Sequence, residues 1–361
     1  MAKDIQAAPA DEAGKTAYQS RMLAGRLQKR FRHLDKWARR TGAGAFRLYD
    51  RDIPEIPLVL DWYGGALAGA LYRRPYEKDQ AAEKRWLEAM KAAAAGALGI
   101  DPRGIFLKYR ERQRGLAQYE KIGGQHFVKE ISEGGLVFKV NLSDYLDTGL
   151  FLDRRLMRAM VRAEAAGRRV LNLFCYTGSF SVYAAAGGAV STDSVDLSNT
   201  YLEWAGENFA FNGFQAEMTG AEAVLRSGSP LPLRGAGKAV SHRLIRADAS
   251  VFLRRAAAAA LRWDLIILDP PAFSNSKKMT GSLDLKRDHA GLIARCLTLL
   301  SPGGKLRFSA NARQLKVRPA ELEAALAADF PGVSVSDFGA KTVDEDFRGR
   351  KTPLSLLVRA D

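Results

Sequence analysis

From residue 141 onward the chain alternates short apolar runs with helix-forming stretches, and few architectures can absorb that alternation. Parallel strands need crossover connections long enough to hold a helix, so a β-α-β march implies a parallel sheet with helices on both faces. The runs place strands at 169–174, 190–196, 242–246, 264–269, 305–310, 333–338 and 354–358, seven in all. Helices are expected between them at 180–186, 200–212, 249–261, 283–300 and 319–328. The stretch 217–240 is rich in Gly, Ser, Pro and Ala and interrupts the march between the second helix and the third strand, which reads as a flexible insertion. Residues 141–361 therefore form one α/β, doubly wound domain.

The first 140 residues have a different pattern. Residues 1–17 are small, polar and without period, as in a flexible tail. Leu23, Leu27, Phe31, Leu34 and Trp37 then recur at spacings of three and four, the signature of an amphipathic helix, and Gly42 and Gly44 stop it. Strand-like runs at 46–49, 58–63, 66–72, 105–109, 127–131 and 136–140, with a helix at 79–98, complete a smaller α+β module over 18–140. At 361 residues and 47% apolar content the chain can build both cores. It has no run long enough for a membrane helix and no apolar secretory leader in its first 15 residues, so a cytoplasmic protein without a membrane partner is expected. Two cysteines, Cys175 and Cys296, and four histidines point away from disulfides and metal sites.

The net charge of +15 asks for a polyanionic partner, because its density is local. Arg21, Arg26, Lys29, Arg30, Arg32, Lys36, Arg39, Arg40 and Arg47 face a single acid, Asp35, within residues 21–47. A phosphate backbone would feel that field.

Residues 170–174 read as a buried strand, and Cys175-Tyr176-Thr177-Gly178 as the tight turn after it, where Gly178 lets backbone approach a ligand without a Cβ in the way. Asp196 ends the second strand, where a doubly wound fold places an acid against ribose hydroxyls. Asp248 follows the third strand, placed to accept from an adenine amino group. A single-glycine turn lacks the phosphate-gripping pattern of a dinucleotide site and favours a nucleoside cofactor without pyrophosphate, such as S-adenosylmethionine. The fourth strand ends in Asp269-Pro270-Pro271-Ala272-Phe273. The prolines stiffen the loop so that the Pro270 carbonyl can point at a base while Phe273 stacks on its face.

Together, Asp269-Pro270-Pro271-Ala272-Phe273 and residues 172–178 resemble the class I methyltransferases of nucleic-acid bases. Residues 26–29, 108–113, 141–153, 200–205 and 269–277 narrow the resemblance to the bacterial 23S rRNA guanine-N7 methyltransferase family, with the string 141–153 the most specific. The fold it implies is a seven-stranded, Rossmann-like methyltransferase domain. It implies S-adenosylmethionine contacts from Thr148, Gly149, Phe151, Asn172, Phe174, Tyr176, Gly178, Asp196, Asp248 and Asp269, with Phe273, Asn275 and Lys277 beside the target base. Residues 310–312 and 352–354 depart from the family's pattern on the substrate side.

The same resemblance makes the N-terminal module an RNA grip. Arg26, Lys29, Arg30, Lys108, Arg110, Arg112 and Arg114 are its phosphate contacts, and Trp62, Tyr109 and Tyr119 are available for stacking or for the core. The implied partner is 23S ribosomal RNA or a ribosomal assembly intermediate. Members of this family are often fused behind a guanine-N2 methyltransferase, so a separate enzyme of that kind is a further expected partner. Two other readings stay open: transfer to an exocyclic amine (guanine N2 or adenine N6), and a non-catalytic RNA-binding assembly factor. A cytosine-C5 route is disfavoured, because neither cysteine falls at the end of the fourth or fifth strand.

Overall fold

The computed structural model describes residues 11–72, 79–110, 124–227, 241–274, 282–311 and 315–360. The chain divides into two compact units. Among the described residues, one comprises those of 11–110, 124–135 and 140–148, the other those of 136–139 and 149–360. The expected cut after Val140 falls inside this exchange of segments.

The first unit opens with helix α1 (Glu12–Thr41). The helix starts at Glu12, so residues 12–17 are not the tail that composition indicated. The Asp11 carboxylate caps it by accepting from the Gly14 N–H, and Glu12 complements the positive end of the helix dipole. Gly42, at φ 68°, ends it. Strands β1 (Ala45–Asp50), β2 (Leu58–Tyr63) and β3 (Ala66–Tyr72) form an antiparallel meander. Helix α2 (Gln80–Leu98) is the crossover that lets β4 (Ile105–Arg110) lie parallel to β3. Leu23, Leu27, Leu34 and Trp37 of α1 pack with Phe46, Leu60 and Met90 in one core. Strand β5 (Val128–Glu133) completes this unit, its Ser132 carbonyl accepting from the Gly44 N–H.

In chain order there follow β6 (Leu136–Asn141), α3 (Arg155–Glu164), β7 (Arg169–Leu173), α4 (Ser179–Ala186), β8 (Ser191–Asp196) and α5 (Asn199–Phe211). Then come β9 (Ala216–Gly220), α6 (Ala221–Ser227), β10 (Ser241–Arg246), α7 (Ala249–Ala258), β11 (Trp263–Leu268), the two-residue strands β12 (Phe273–Ser274) and β13 (Leu283–Asp284), and α8 (Leu285–Leu297). Strand β14 (Leu300–Ala310), α9 (Pro319–Leu326), β15 (Ser334–Asp337) and β16 (Leu354–Arg359) finish the chain. The large sheet runs β15-β16-β14-β11-β7-β8-β10-β9, with β16 antiparallel to both its neighbours.

All seven expected strands are present, and β9 adds an eighth at the edge, parallel to β10. The first part of the expected insertion is thus strand β9 and helix α6, while residues 228–240 lie outside the described residues. Side-chain alternation along β7 and β11 explains the double winding. Val170, Leu265 and Ile267 pack with Met157 and Val161 of α3 and Phe180 of α4. Leu171, Leu173, Ile266 and Leu268 pack on the other face with α7 and α8 through Phe252 and Ile293.

Within the sheet, Asp193 of β8 is buried and accepts from Arg243 Nε at 2.6 Å and Nη2 at 2.9 Å, and from the Trp263 indole N–H at 2.7 Å. A charge removed from water survives only when paired and hydrogen-bonded in this way.

Candidate functional site

The carboxyl ends of β7, β8, β10 and β11 meet around the point where the sheet order reverses, which is where doubly wound folds bind ligands. The turn after β7 is tightly wound: Phe174 (φ 57°), Tyr176 (φ 53°) and Gly178 (φ 72°) all lie in the left-handed region. For two non-glycine residues such a backbone is strained and has to be held in place. Asp196 does part of this, accepting from the Tyr176 N–H through Oδ2 and from the Ser198 N–H through Oδ1, each at 2.9 Å. Burial still pushes the Asp196 carboxyl up to about 6, against the lowering effect of the backbone N–H groups of Ser198, Tyr176 and Leu197.

Gly149, at φ 100°, sits against Trp204, and a Cβ there would lie 2.3 Å from the indole. Thr177 Oγ1 donates to the Gly149 carbonyl at 2.6 Å, and the Phe151 ring lies 5.2 Å from that of Tyr176. Tyr176 in turn meets Tyr201 edge-on at 4.5 Å. Phe151 is 39% exposed and Phe273 41%, both unusual for large apolar rings and both at this end of the sheet.

Asp269, just past β11, accepts from Ser309 Oγ at 2.6 Å and from Arg154. Arg154 Nε lies 3.1 Å from Asp269 Oδ2 and its Nη2 3.2 Å from Oδ1, while its Nη1 donates to Asp153 at 2.9 Å. Sequence reasoning singled out neither Arg154 nor Ser309. The charged triplet Asp153-Arg154-Arg155 set between the apolar runs at Leu150 to Leu152 and Leu156 to Met157 was the available signal.

Gly149, Phe151, Phe174, Tyr176, Gly178, Asp196 and Asp269 are brought together by these contacts. Asp248 is the N-cap of α7, its Oδ1 accepting from the Val251 N–H at 2.9 Å. The Asn172 amide is buried and donates to Ser181 Oγ, which also accepts from Ser194, so that side chain braces α4. The Thr148 hydroxyl pairs with that of Tyr63 at 2.8 Å within the first unit. Pro270 and Pro271 lead into β12, where Phe273 pairs with Asp284. Asn275 and Lys277 lie outside the described residues.

Cys175 and Cys296 are both buried with their thiols pushed up by burial, which leaves neither a ready nucleophile. Among the described residues no cluster of His, Cys, Asp or Glu could hold a metal, and no helix is long and apolar enough to cross a membrane.

On the first unit, Lys29, Arg32, Lys36, Arg39 and Arg40 are exposed on α1, together with Arg21. Arg26 instead pairs with Asp52 at 2.7 Å, and Arg30 is half-buried. Lys108 departs from the phosphate role expected of it. It is 8% exposed and donates to the Tyr145 carbonyl, which leaves its ammonium turned into the protein. Trp62 packs on Phe31 at 4.7 Å and belongs to the core, whereas Tyr109 is exposed. The Arg110 side chain, Arg112, Arg114 and Tyr119 lie outside the described residues.

The S-adenosylmethionine-dependent methyltransferase family matches residues 45–225, half of the chain. The chain is also 44% identical over 331 residues to the ribosomal RNA large subunit methyltransferase K of Neisseria meningitidis serogroup B, covering 91% of this chain and 84% of that one. The chain belongs to the S-adenosylmethionine-dependent methyltransferases. A longer relative of this methyltransferase, the ribosomal RNA large subunit methyltransferase K/L of Hahella chejuensis, is 42% identical over 91% of the chain, which spans only 41% of that protein's length.

Solved structures agree on the fold of the methyltransferase. SMU.776, described as a methyltransferase and complexed with S-adenosylhomocysteine, superposes with a TM-score of 0.69 at 23% identity, over 94% of this chain and 82% of that one. An S-adenosylmethionine-dependent methyltransferase from Agrobacterium tumefaciens superposes at 0.52 and 20% identity, over 84% and 87% of the two chains.

The residues present fit the methyltransferase cofactor. Asp196 is a desolvated carboxylate with lone pairs left for hydroxyl donors, as a ribose presents, and Asp248 keeps one oxygen beyond its capping bond. The exposed Phe151 ring beside Tyr176 offers an apolar surface for a purine.

Proposed function

We propose that this chain methylates N7 of a guanine in bacterial large-subunit (23S) ribosomal RNA. The observation that carries the reading is the 44% identity to a ribosomal RNA large subunit methyltransferase K across 84% of that protein. On this reading Gly149, Phe151, Tyr176, Gly178, Asp196 and Asp248 hold the adenosyl part of S-adenosylmethionine. Asp269, the Pro270 carbonyl and Phe273 face the target base, with Pro271 stiffening the loop between them.

S-adenosylmethionine supplies an electrophilic methyl group on a sulfonium. The guanine N7 lone pair forms the new N–C bond while the C–S bonding pair returns to sulfur, so positive charge passes to the purine and no proton moves. Such a reaction needs alignment more than a base. Asp269 Oδ1 already accepts from Ser309 and Arg154, which suits a charge held in place better than a group receiving a proton. An amine acceptor would have to lose a proton, and the Asp269 carboxylate, already bonded to Ser309 and Arg154, is a poor receiver for it. The Phe273 ring stacks on the splayed base, and the exposed cations Lys29, Arg32, Lys36 and Arg40 of α1 contact phosphates. The substrate is 23S rRNA, free or in an assembling particle.

Methylating large-subunit rRNA with labelled cofactor, digesting it to nucleosides and identifying the product by mass tests the proposal. N7-methylguanosine is expected. N2-methylguanosine or N6-methyladenosine would move the reaction to an amine, and RNA binding without label transfer would leave an assembly factor.

A further inference from the structure

Segment 149–154 threads between the two halves of the site, tied at one end to the turn after β7 by the bond from Thr177 to Gly149. At its other end Arg154, 4% exposed, is hydrogen-bonded to both Asp153 and Asp269. The Phe151 carbonyl accepts from the Arg154 N–H at 3.2 Å and from Arg158 Nη1 at 2.9 Å, which fixes where the guanidinium can sit. Its neighbour Arg155 bonds elsewhere, to Asp344 and Asp346. Two carboxylates therefore share one guanidinium beside the loop that faces the base.

We propose that Arg154 is a positioning residue for methyl transfer, orienting the Asp269 carboxylate and cancelling part of the negative charge of the Asp153–Asp269 pair. The inference rests on reading this site as a methyl-transfer pocket. Its physical content is a balance between charge states. A bare pair of carboxylates would hold a sulfonium more tightly than the neutral thioether product or a transition state in which the charge is leaving sulfur. Arg154 lowers that bias by neutralising one of the two charges. Its fork also holds Asp269 through two nitrogens while a third holds Asp153, which an ammonium cannot reproduce.

The test titrates the full-length chain with S-adenosylmethionine and with S-adenosylhomocysteine, and follows a single turnover on large-subunit rRNA. Arg154→Met is expected to raise the preference for the cationic ligand about tenfold. Its transfer rate should fall about a hundredfold with KM for RNA unchanged. Arg154→Lys should keep the wild-type ligand preference and lose about tenfold in rate. Adding Asp153→Asn to Arg154→Met restores the number of net charges, so the preference should return while the rate stays low.

A folded Arg154→Met with unaltered ligand preference overturns the charge role, and an unaltered rate overturns the positioning role. Should Arg154→Met fail to fold, Arg154→Lys decides: full activity overturns the proposal, and a slowed rate with KM and ligand preference retained supports it. A wild-type product other than N7-methylguanosine overturns the proposed target base and leaves this test standing, because both readouts need only a cationic donor and a methyl acceptor.

Discussion

The Thr177 hydroxyl donates to the carbonyl of Gly149 at 2.6 Å, joining the turn after β7 to the segment that carries Phe151 and Arg154. Thr177 is fully buried, so the bond cannot be replaced by water without rearrangement. Thr177→Val keeps the shape and removes the donor. It is expected to cost about 1–2 kcal/mol of stability. Calorimetry should also show weaker binding of S-adenosylhomocysteine, because two walls of the pocket are no longer held to each other. Binding as tight as wild type would show that the turn keeps its shape alone.

Asp269→Ala removes the carboxylate that Arg154 and Ser309 surround. Transfer should fall by at least about a hundredfold, the scale seen when a preorganised charge is deleted from an active site. Rapid-quench measurement with saturating RNA reads the step directly, and a fully active variant refutes the assigned role.

Asp196 sets a pH dependence whose sign follows from its raised carboxyl. An unfolded aspartate titrates near 3.8 and this one near 6, so the folded chain holds the proton more firmly. Its contribution to the stability of the ligand-free chain is therefore full below about 4 and is lost as pH rises through 6. On the proposed role, in which the ionised carboxylate accepts from ribose hydroxyls, cofactor binding runs the other way. Affinity for S-adenosylhomocysteine should drop as pH falls below about 6, and Asp196→Asn should flatten both profiles. Melting and calorimetry across that range of pH read the two slopes, and flat wild-type curves would remove Asp196 from the binding role.

Asp193→Ala strands the Arg243 guanidinium and the Trp263 indole N–H in the sheet. The expected loss is about 3–5 kcal/mol in urea unfolding. Asp193→Leu with Arg243→Met should recover most of it, since the pair's own burial is costly. No recovery would mean that the network serves the fold through more than charge neutrality.

Replacing Lys29, Arg32 and Lys36 with Glu alters only exposed positions of α1. RNA affinity should fall, and the slope of log K against log salt should flatten by roughly 0.7–0.9 for each phosphate that is no longer neutralised. An unchanged slope would take α1 out of the RNA-binding surface.

Strands β7, β11 and β16 were legible as apolar runs, whereas the more polar β8 and β15 were legible from their place in the strand–helix alternation. Strand β9 was not, since Ala216–Gly220 carries little apolar surface and lies half-exposed at an edge. Helix α3 was hidden for a different reason. Arg154 stands before it without a capping side-chain bond, and its buried face includes Arg155 and Arg158, charged residues that disguise an inward-facing stripe. The acids of the site stood out because they follow strands, whereas Arg154 and Ser309 matter only through hydrogen bonds to Asp269 that bridge 115 and 40 positions of sequence. Lys108 shows the converse: a basic residue in a basic segment whose charge is spent on a backbone carbonyl.

Asp193 and Arg243 stand directly opposite each other on β8 and β10. A slip of one residue would set Arg243 against Thr192 or Ser194 and move every side chain of the slipped strand to the opposite face of the sheet. The ion pair thus works as an index mark: it permits one alignment of these strands, and in that alignment Asp196 and Asp248 arrive at the same rim of the sheet.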